Sequence, residues 1–230
     1  MSVHRYSDGH ILAKEDHFNR HMREKYNAPF IDMHRADLHK MMIARAEELG
    51  VEVKTSARVQ EVDPDMATVV TEAGERYSGD LIVGADGLWS KCREALLGQK
   101  DAPLPTGDLA YRIVLSIDEL NDPELKQMIA KPACRFWAGP GAHAVAYSVK
   151  NGTVFNLVLL VPDNLPENVS RQEGSVEEMR ELFKDWDPVL TRFLNQVEGV
   201  EKWKLMHRPE VERWTNEKGN FTLIGDSCHP

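Results

Sequence analysis

The sequence predicts an α/β fold that carries an inserted, mainly antiparallel α+β segment, and three observations predict it. Met33 to Leu49 sets Leu38, Met42, Ala46 and Leu49 on one helical face, and Val51-Glu-Val53 resumes at once as a strand. Leu81-Ile-Val-Gly-Ala85 and Phe221-Thr-Leu-Ile224 are apolar runs of the kind that fill a buried parallel sheet. They end in Asp86-Gly87 and Gly225-Asp226 respectively. Between them the character changes near Asp101, where Pro103 and Pro105 mark a boundary and short strands separated by turn residues follow.

Taken in order, Asp32 is expected to cap the first helix and Gly50 to stop it in a left-handed conformation. Arg58 to Val62 and Thr68 to Thr71 read as strands, and Ala73-Gly74 turns the chain towards Arg76-Tyr77. Ser90 caps a short helix that finishes at Gly98. Leu109 to Ile117, Cys134 to Trp137, His143 to Val149 and Thr153 to Val161 are strand candidates, with turns at Gly139-Pro-Gly141 and Asn151-Gly152. Pro162 to Gly174 reads as a loop. Ser175-x-x-Glu178 is a capping box that opens a helix with Met179, Leu182, Phe183 and Trp186 inward. Asp187-Pro188 starts a second helix that buries Leu190, Phe193, Leu194 and Val197. The expected organisation is therefore 1–104 as the first part of one domain, 105–204 as the insert, and 205–230 as the return to the first domain.

Composition narrows the function classes. A chain of 230 residues with 42% hydrophobic and 28% charged residues can bury a sizeable core. The net charge of −9 argues against nucleic acid as a partner. The longest strongly apolar run, Leu157 to Val161, is far too short to span a bilayer, and no signal peptide opens the chain. Cys92, Cys134 and Cys228 form no CxxC pair and no metal-ligand spacing, so no metal is expected. A reducing, cytoplasmic location is the simplest expectation.

Three segments carry a resemblance: Arg35-Ala-Asp-Leu38, then Asp80-Leu-Ile-Val-Gly-Ala-Asp86-Gly-Leu-Trp-Ser90-Lys-Cys-Arg93, then Phe221-Thr-Leu-Ile-Gly225-Asp226-Ser-Cys-His229-Pro230. Alone, each short motif is weak. Arg-x-x-Leu recurs at Arg93 and Arg112, Asp-Gly at Asp8, and Gly-Asp at Gly79 and Gly107. In this order and context the chain resembles the FAD-dependent class A aromatic hydroxylases, which include the para-hydroxybenzoate and salicylate hydroxylases. Phe136-Trp-Ala-Gly-Pro140 and His143-x-x-x-Tyr147 are most similar to the salicylate and 6-hydroxynicotinate branch.

The resemblance implies a Rossmann-like FAD-binding domain with an inserted substrate domain. The chain holds no Gly-x-Gly-x-x-Gly fingerprint, nor the helix expected after His229-Pro230, so it reads as an internal portion with an incomplete FAD domain. It further implies FAD as cofactor, NADH or NADPH as reductant, and O2 as co-substrate. A flavin hydroperoxide would hydroxylate a small phenolic or pyridine acid. Two alternatives stand beside it: another flavin oxidoreductase on this scaffold, such as a halogenase or epoxidase, and a non-catalytic piece that binds no flavin.

The same resemblance nominates individual residues. Arg35 offers a planar guanidinium to a diphosphate or the ribityl hydroxyls; a surface ion pair with Asp32 or Asp37 is the alternative. Asp86 and Gly87 end a strand where α/β sheets receive ligands, or they simply organise the strand-to-helix turn. Gly225 and Asp226 would meet the ribityl chain, unless Asp226 merely caps a helix. His143 and Tyr147 alternate in phase on one strand and would line an aromatic pocket with Cys134, or pack as ordinary strand residues. Arg112 would hold a substrate carboxylate or phenolate, or pair at the surface.

Overall fold

The structure is a computed structural model describing residues 1–230. Two short strands, β1 (Ser2–Arg5) and β2 (Ile11–Lys14), open the chain, followed by helices α1 (Phe18–Tyr26) and α2 (Arg35–Glu48). An antiparallel meander follows as β3 (Val59–Asp63), β4 (Thr68–Thr71) and β5 (Arg76–Ser78). Strand β6 (Ile82–Gly84) leads into α3 (Lys91–Leu97), which is capped by Ser90 and closed by left-handed Gly98. The long strand β7 (Leu104–Ser116) comes next, then α4 (Pro123–Ala130), β8 (Cys134–Gly139), β9 (Ala142–Val149) and β10 (Val154–Pro162). The chain finishes with β11 (Arg171–Gly174), α5 (Val176–Leu182), α6 (Pro188–Leu194), β12 (Val200–His207) and β13 (Phe221–Leu223).

These elements divide into two compact units, residues 1–46 with 107–205 and residues 47–106 with 206–230. The grouping of the first 46 residues differs from the sequence expectation, which ran 1–104 together. The reason is hydrogen bonding: β1 pairs in parallel with β8, from Ser2 beside Arg135 to Arg5 beside Ala138. That pairing extends one sheet to eight strands in the order β11-β12-β7-β10-β9-β8-β1-β2.

Period-two alternation makes one face of this sheet the core of the first unit. Tyr111, Trp137, Ala144, Phe155, Leu157 and Leu159 are buried there with Phe183, Leu190 and Phe193 of the helical segment. Phe155 stacks on Phe193 with ring centroids 4.5 Å apart. Each large side chain buried in this way contributes about 1.5–3 kcal/mol. Asp187 ties the layers together. Its carboxylate caps α6 through the Val189 amide and accepts the indole N–H of Trp137 at 2.6 Å.

The second unit is built around the parallel pair β6 and β13, in register from Ile82 beside Phe221 to Gly84 beside Leu223. Helix α3 lies so close that a Cβ on Gly84 would stand 2.6 Å from the Cys92 Cβ. Cys92, Phe221, Leu223 and Cys228 form its small core. Arg93, fully buried, pairs with Asp101 and donates to the carbonyls of Cys228 at 3.1 Å and Pro209 at 2.5 Å.

Several elements depart from expectation. Val51–Val53 forms no strand, because both valines are exposed beyond the left-handed Gly50 and have nothing to pack against. Asp32 does not cap α2; the helix starts at Arg35, and the His34 carbonyl accepts from the Asp37 and Leu38 amides. The end of the expected 162–174 loop is β11, paired to β12. Replacing Asp187 with alanine removes a helix cap and leaves the Trp137 indole N–H without its partner. We expect Asp187→Ala to cost roughly 2–4 kcal/mol, read as a lower urea midpoint with an unchanged slope.

Candidate active site

The sheet face opposite the helices carries the polar residues. On β9, His143, Val145 and Tyr147 point the same way, and cross-strand pairing brings others beside them. Tyr147 lies opposite Cys134 on β8 and Asn156 on β10. Val145 lies opposite Phe136 and Val158, and Val158 in turn lies opposite Arg112 on β7. His143, Tyr147, Cys134 and Arg112 are thus on one face of one sheet. His143 and Tyr147 are about 13 Å apart along the strand, with Val145 between them.

The surroundings of the four residues differ. His143 is exposed and lines a cavity of about 610 Å³ with Val3, Phe136, Ala138 and Leu160. Tyr147 is half-buried. The Cys134 thiol is pushed up to about 11, first by burial and then by the charge of Asp32. It therefore stays neutral near pH 7 and can contact a ligand but cannot serve as an ionised base. Cys134 also lines a second cavity, about 400 Å³, with Phe18, Phe30, Asp32 and Lys150. Arg112 is exposed and has no ion-pair or hydrogen-bond partner; its guanidinium lies 4.8 Å from the Trp203 ring.

In the second unit, parallel strands β6 and β13 end side by side, which brings Asp86-Gly87 and Gly225-Asp226 to the same edge. Carboxyl ends of parallel strands are where α/β sheets take ligands. Gly87 has φ +75° and Gly225 φ +60°, the left-handed region that favours glycine, and both stand in open space. Ser227 closes this edge by donating to the Gly84 carbonyl at 2.7 Å.

The two carboxylates there are differently engaged. Asp86 accepts from the Ser90 hydroxyl at 2.5 Å, the Lys91 amide at 2.8 Å and the Cys92 amide at 3.0 Å. Burial raises its carboxyl, but the bonds from Ser90 and Cys92 outweigh that and hold it below the usual aspartate range. Asp86 is thus committed to the turn that starts α3. Asp226 is exposed and has no partner of its own. Arg35, on the first turn of α2 in the other unit, is likewise exposed; Asp37 faces His34 at 3.4 Å and Lys150 at 3.9 Å instead.

Sequence reading missed Asn156 and Trp203. Asn156 is the lone polar side chain of β10 on this face, and its amide nitrogen is buried without a hydrogen-bond partner. Its period-two phase with Val158 was the available signal. Trp203 lay in a strand masked by the buried Lys202 and Lys204, which invert the expected alternation.

The family model described as FAD binding domain matches residues 5–230. FAD-dependent monooxygenase OpS4 of Beauveria bassiana (strain ARSEF 2860) is 51% identical across all of this chain and 55% of its own length. 3-Hydroxybenzoate 6-hydroxylase 1 of Aquipseudomonas alcaligenes is 33% identical over 90% of this chain and 52% of its own. The chain spans about half the length of these curated relatives. Among solved structures, CtdE in complex with FAD and a substrate superposes with a TM-score of 0.81 at 18% identity, covering all of this chain and 57% of CtdE. A salicylate hydroxylase substrate complex gives 0.74 at 21%, again covering all of this chain and 57% of the other. At these identities the structures show the fold, an α/β FAD-binding scaffold of which this chain holds part.

The Asp86 geometry generates a pH-dependent expectation. Its folded-state pKa is lowered, so its contribution to stability is present above the unfolded aspartate pKa and lost as pH falls through the folded value. Asp86→Ala should therefore melt below wild type at pH 7, and the gap should shrink as both proteins are taken down towards pH 3. Thermal melts across that range check it; a gap that is constant with pH would show that the carboxylate charge plays no part.

Proposed function

Since the chain belongs to the FAD-binding domain family, we propose that it is the central part of an FAD-dependent monooxygenase that hydroxylates a small phenolic or pyridine acid using NADH or NADPH and O2. The observation that supports this best is the pair of parallel strand ends, where left-handed Gly225 presents an unpartnered, exposed Asp226. A free carboxylate beside open backbone fits a ligand rich in hydroxyl groups. Asp226 would accept from a ribityl hydroxyl, and the backbone at Gly87 and Gly225 would allow close approach. Arg35, free of any ion pair, would offer paired donors to the diphosphate. When bound and reduced, FAD activates O2 so that one oxygen atom enters the substrate ring and the other leaves as water.

The chain's own residues would supply orientation and proton handling. A substrate ring over Val145 and Val158 would be flanked by His143 and Tyr147, with its hydroxyl within reach of both. Transfer of oxygen to a ring needs an electron-rich ring, and loss of a ring-hydroxyl proton makes it so. His143 would take that proton on an imidazole nitrogen. Tyr147 would orient the hydroxyl, and neutral Cys134 beside it would fill the pocket wall. Half-buried Phe136, Val145 and Val158 would keep water off the ring.

Two measurements on the whole protein test this reading. Asp226→Ala should retain less FAD after purification than Asp86→Ala, because Asp86 is already engaged by the α3 turn. Equal flavin content, read from absorbance against protein, would contradict that ranking. His143→Ala and Tyr147→Phe should keep FAD yet form product about 10²–10⁴-fold more slowly, while NAD(P)H oxidation persists and releases hydrogen peroxide. Product formed per NAD(P)H consumed decides it: wild-type coupling in both variants would return the pair to ordinary strand packing.

A further inference from the structure

The cavity where β8 begins and β9 ends holds a carboxylate that neither the fold nor the assigned chemistry uses. Its volume is about 400 Å³, within the range of pockets that take one small ligand. Phe18 and Phe30 line it and meet edge to face, with ring centroids 5.0 Å apart. The Phe30 amide donates to Asn19 Oδ1 at 3.2 Å, which ties the segment carrying Asp32 to α1. Asp32 also lines the cavity, half-buried and without a hydrogen bond or ion pair. Its polar neighbours are engaged elsewhere. Asp16 pairs with Lys14 at 2.6 Å, Lys150 faces Asp37 at 3.9 Å, and the Ser148 hydroxyl donates to the Ile129 carbonyl at 2.7 Å. Burial is the one influence on the Asp32 carboxyl, and it raises it from the ordinary aspartate value.

A partly desolvated carboxylate without a partner is costly, and it gains most from an N–H or O–H donor. No group of three or more metal-ligating side chains surrounds Asp32, so the partner it suits is an organic donor and not a metal ion. The place of the cavity says which molecule would bring that donor. Cys134 lines it and stands opposite Tyr147 across the β8–β9 ladder, so the cavity adjoins the face assigned to the substrate ring. We infer that Asp32 is the acceptor of a second polar subsite, which takes an amino or hydroxyl substituent of the substrate ring. This inference rests on the oxygenase reading above and narrows its substrate. The ring would carry one hydroxyl within reach of His143 and Tyr147, and a second donor group directed past Cys134 to Asp32.

The test compares 3-aminophenol and 3-hydroxyphenol with 3-methylphenol, which has nearly the same shape but no second donor. Dissociation constants are measured on the FAD-loaded whole protein. Wild type should bind at least one of the two donor ligands about tenfold or more tightly than 3-methylphenol, and the better one identifies the substituent. Asp32→Leu should abolish that preference while leaving 3-methylphenol binding unchanged. Asp32→Asn, which keeps an acceptor oxygen without the charge, should retain only part of it. Lack of donor preference in wild type, or a preference that survives Asp32→Leu, overturns the subsite. Loss of 3-methylphenol binding in step with the donor ligands in Asp32→Asn also overturns it, since the carboxylate would then shape the cavity and not receive a donor. NAD(P)H-driven oxygen uptake by the wild type, read separately, decides the oxygenase reading, so the two failures are told apart.

Discussion

The Asp187 carboxylate is the constraint on which the larger unit depends. It receives the Trp137 indole from the central part of the sheet and starts α6 by accepting from the Val189 amide. The loop between β1 and β2 closes on it so tightly that a Cβ at Gly9 would clash with the carboxylate. Three chain segments far apart in sequence are thereby fixed to one another. Because a buried carboxylate is costly unless it is hydrogen-bonded, few other arrangements of these segments satisfy it. The helices are held to one face of the sheet, and the opposite face carries His143, Tyr147 and Arg112.

That division of labour runs through the molecule. Along β7, β9 and β10, residues of one phase build a core without polar function, and residues of the other phase carry the charge, the imidazole and the phenol. The smaller unit solves a different problem with the same economy. Its two motif turns need backbone freedom at Gly87 and Gly225, while rigidity comes from Ser227 and from buried Arg93 bridging distant carbonyls. The glycines loosen only where a ligand would approach.

Much of this was legible in the sequence where the local signal and the tertiary outcome agree. The apolar runs ending at Asp86 and Gly225 became paired parallel strands, and Ser90, Ser175 and Asp187 cap the helices that their positions announced. The alternation of His143 and Tyr147 correctly put them on one face. The misses have physical causes. Strand β12 hides because Lys202 and Lys204 are buried against Glu178 and Asp163, so charge appears where alternation demands an apolar residue. Strands β1 and β2 are only four residues each, too short to announce themselves; β1 is held between β8 and β2, and β2 pairs with β1 at the sheet edge. Val51 and Val53 carry strand propensity, but no neighbour offers them a ladder. Asp86 read equally well as ligand contact or turn organiser, since the saturation of its carboxylate depends on where the amides of α3 point.

The turn joining β9 to β10 has a consequence of its own. Lys150, Asn151 and Gly152 all hold positive φ, at 49°, 56° and 79°, and Val149 faces Val154 across the turn. These left-handed residues set the turn, so it acts as a phase lock between the two strands. Side chains alternate with a period of two, and a slip by a single residue here would carry an entire strand's set from one face to the other. His143 and Tyr147 would trade places with Ala144 and Ser148, putting an imidazole and a phenol against the helices and small residues on the opposite face. An insertion or deletion at this hairpin would thus rewrite the face that carries His143 and Tyr147.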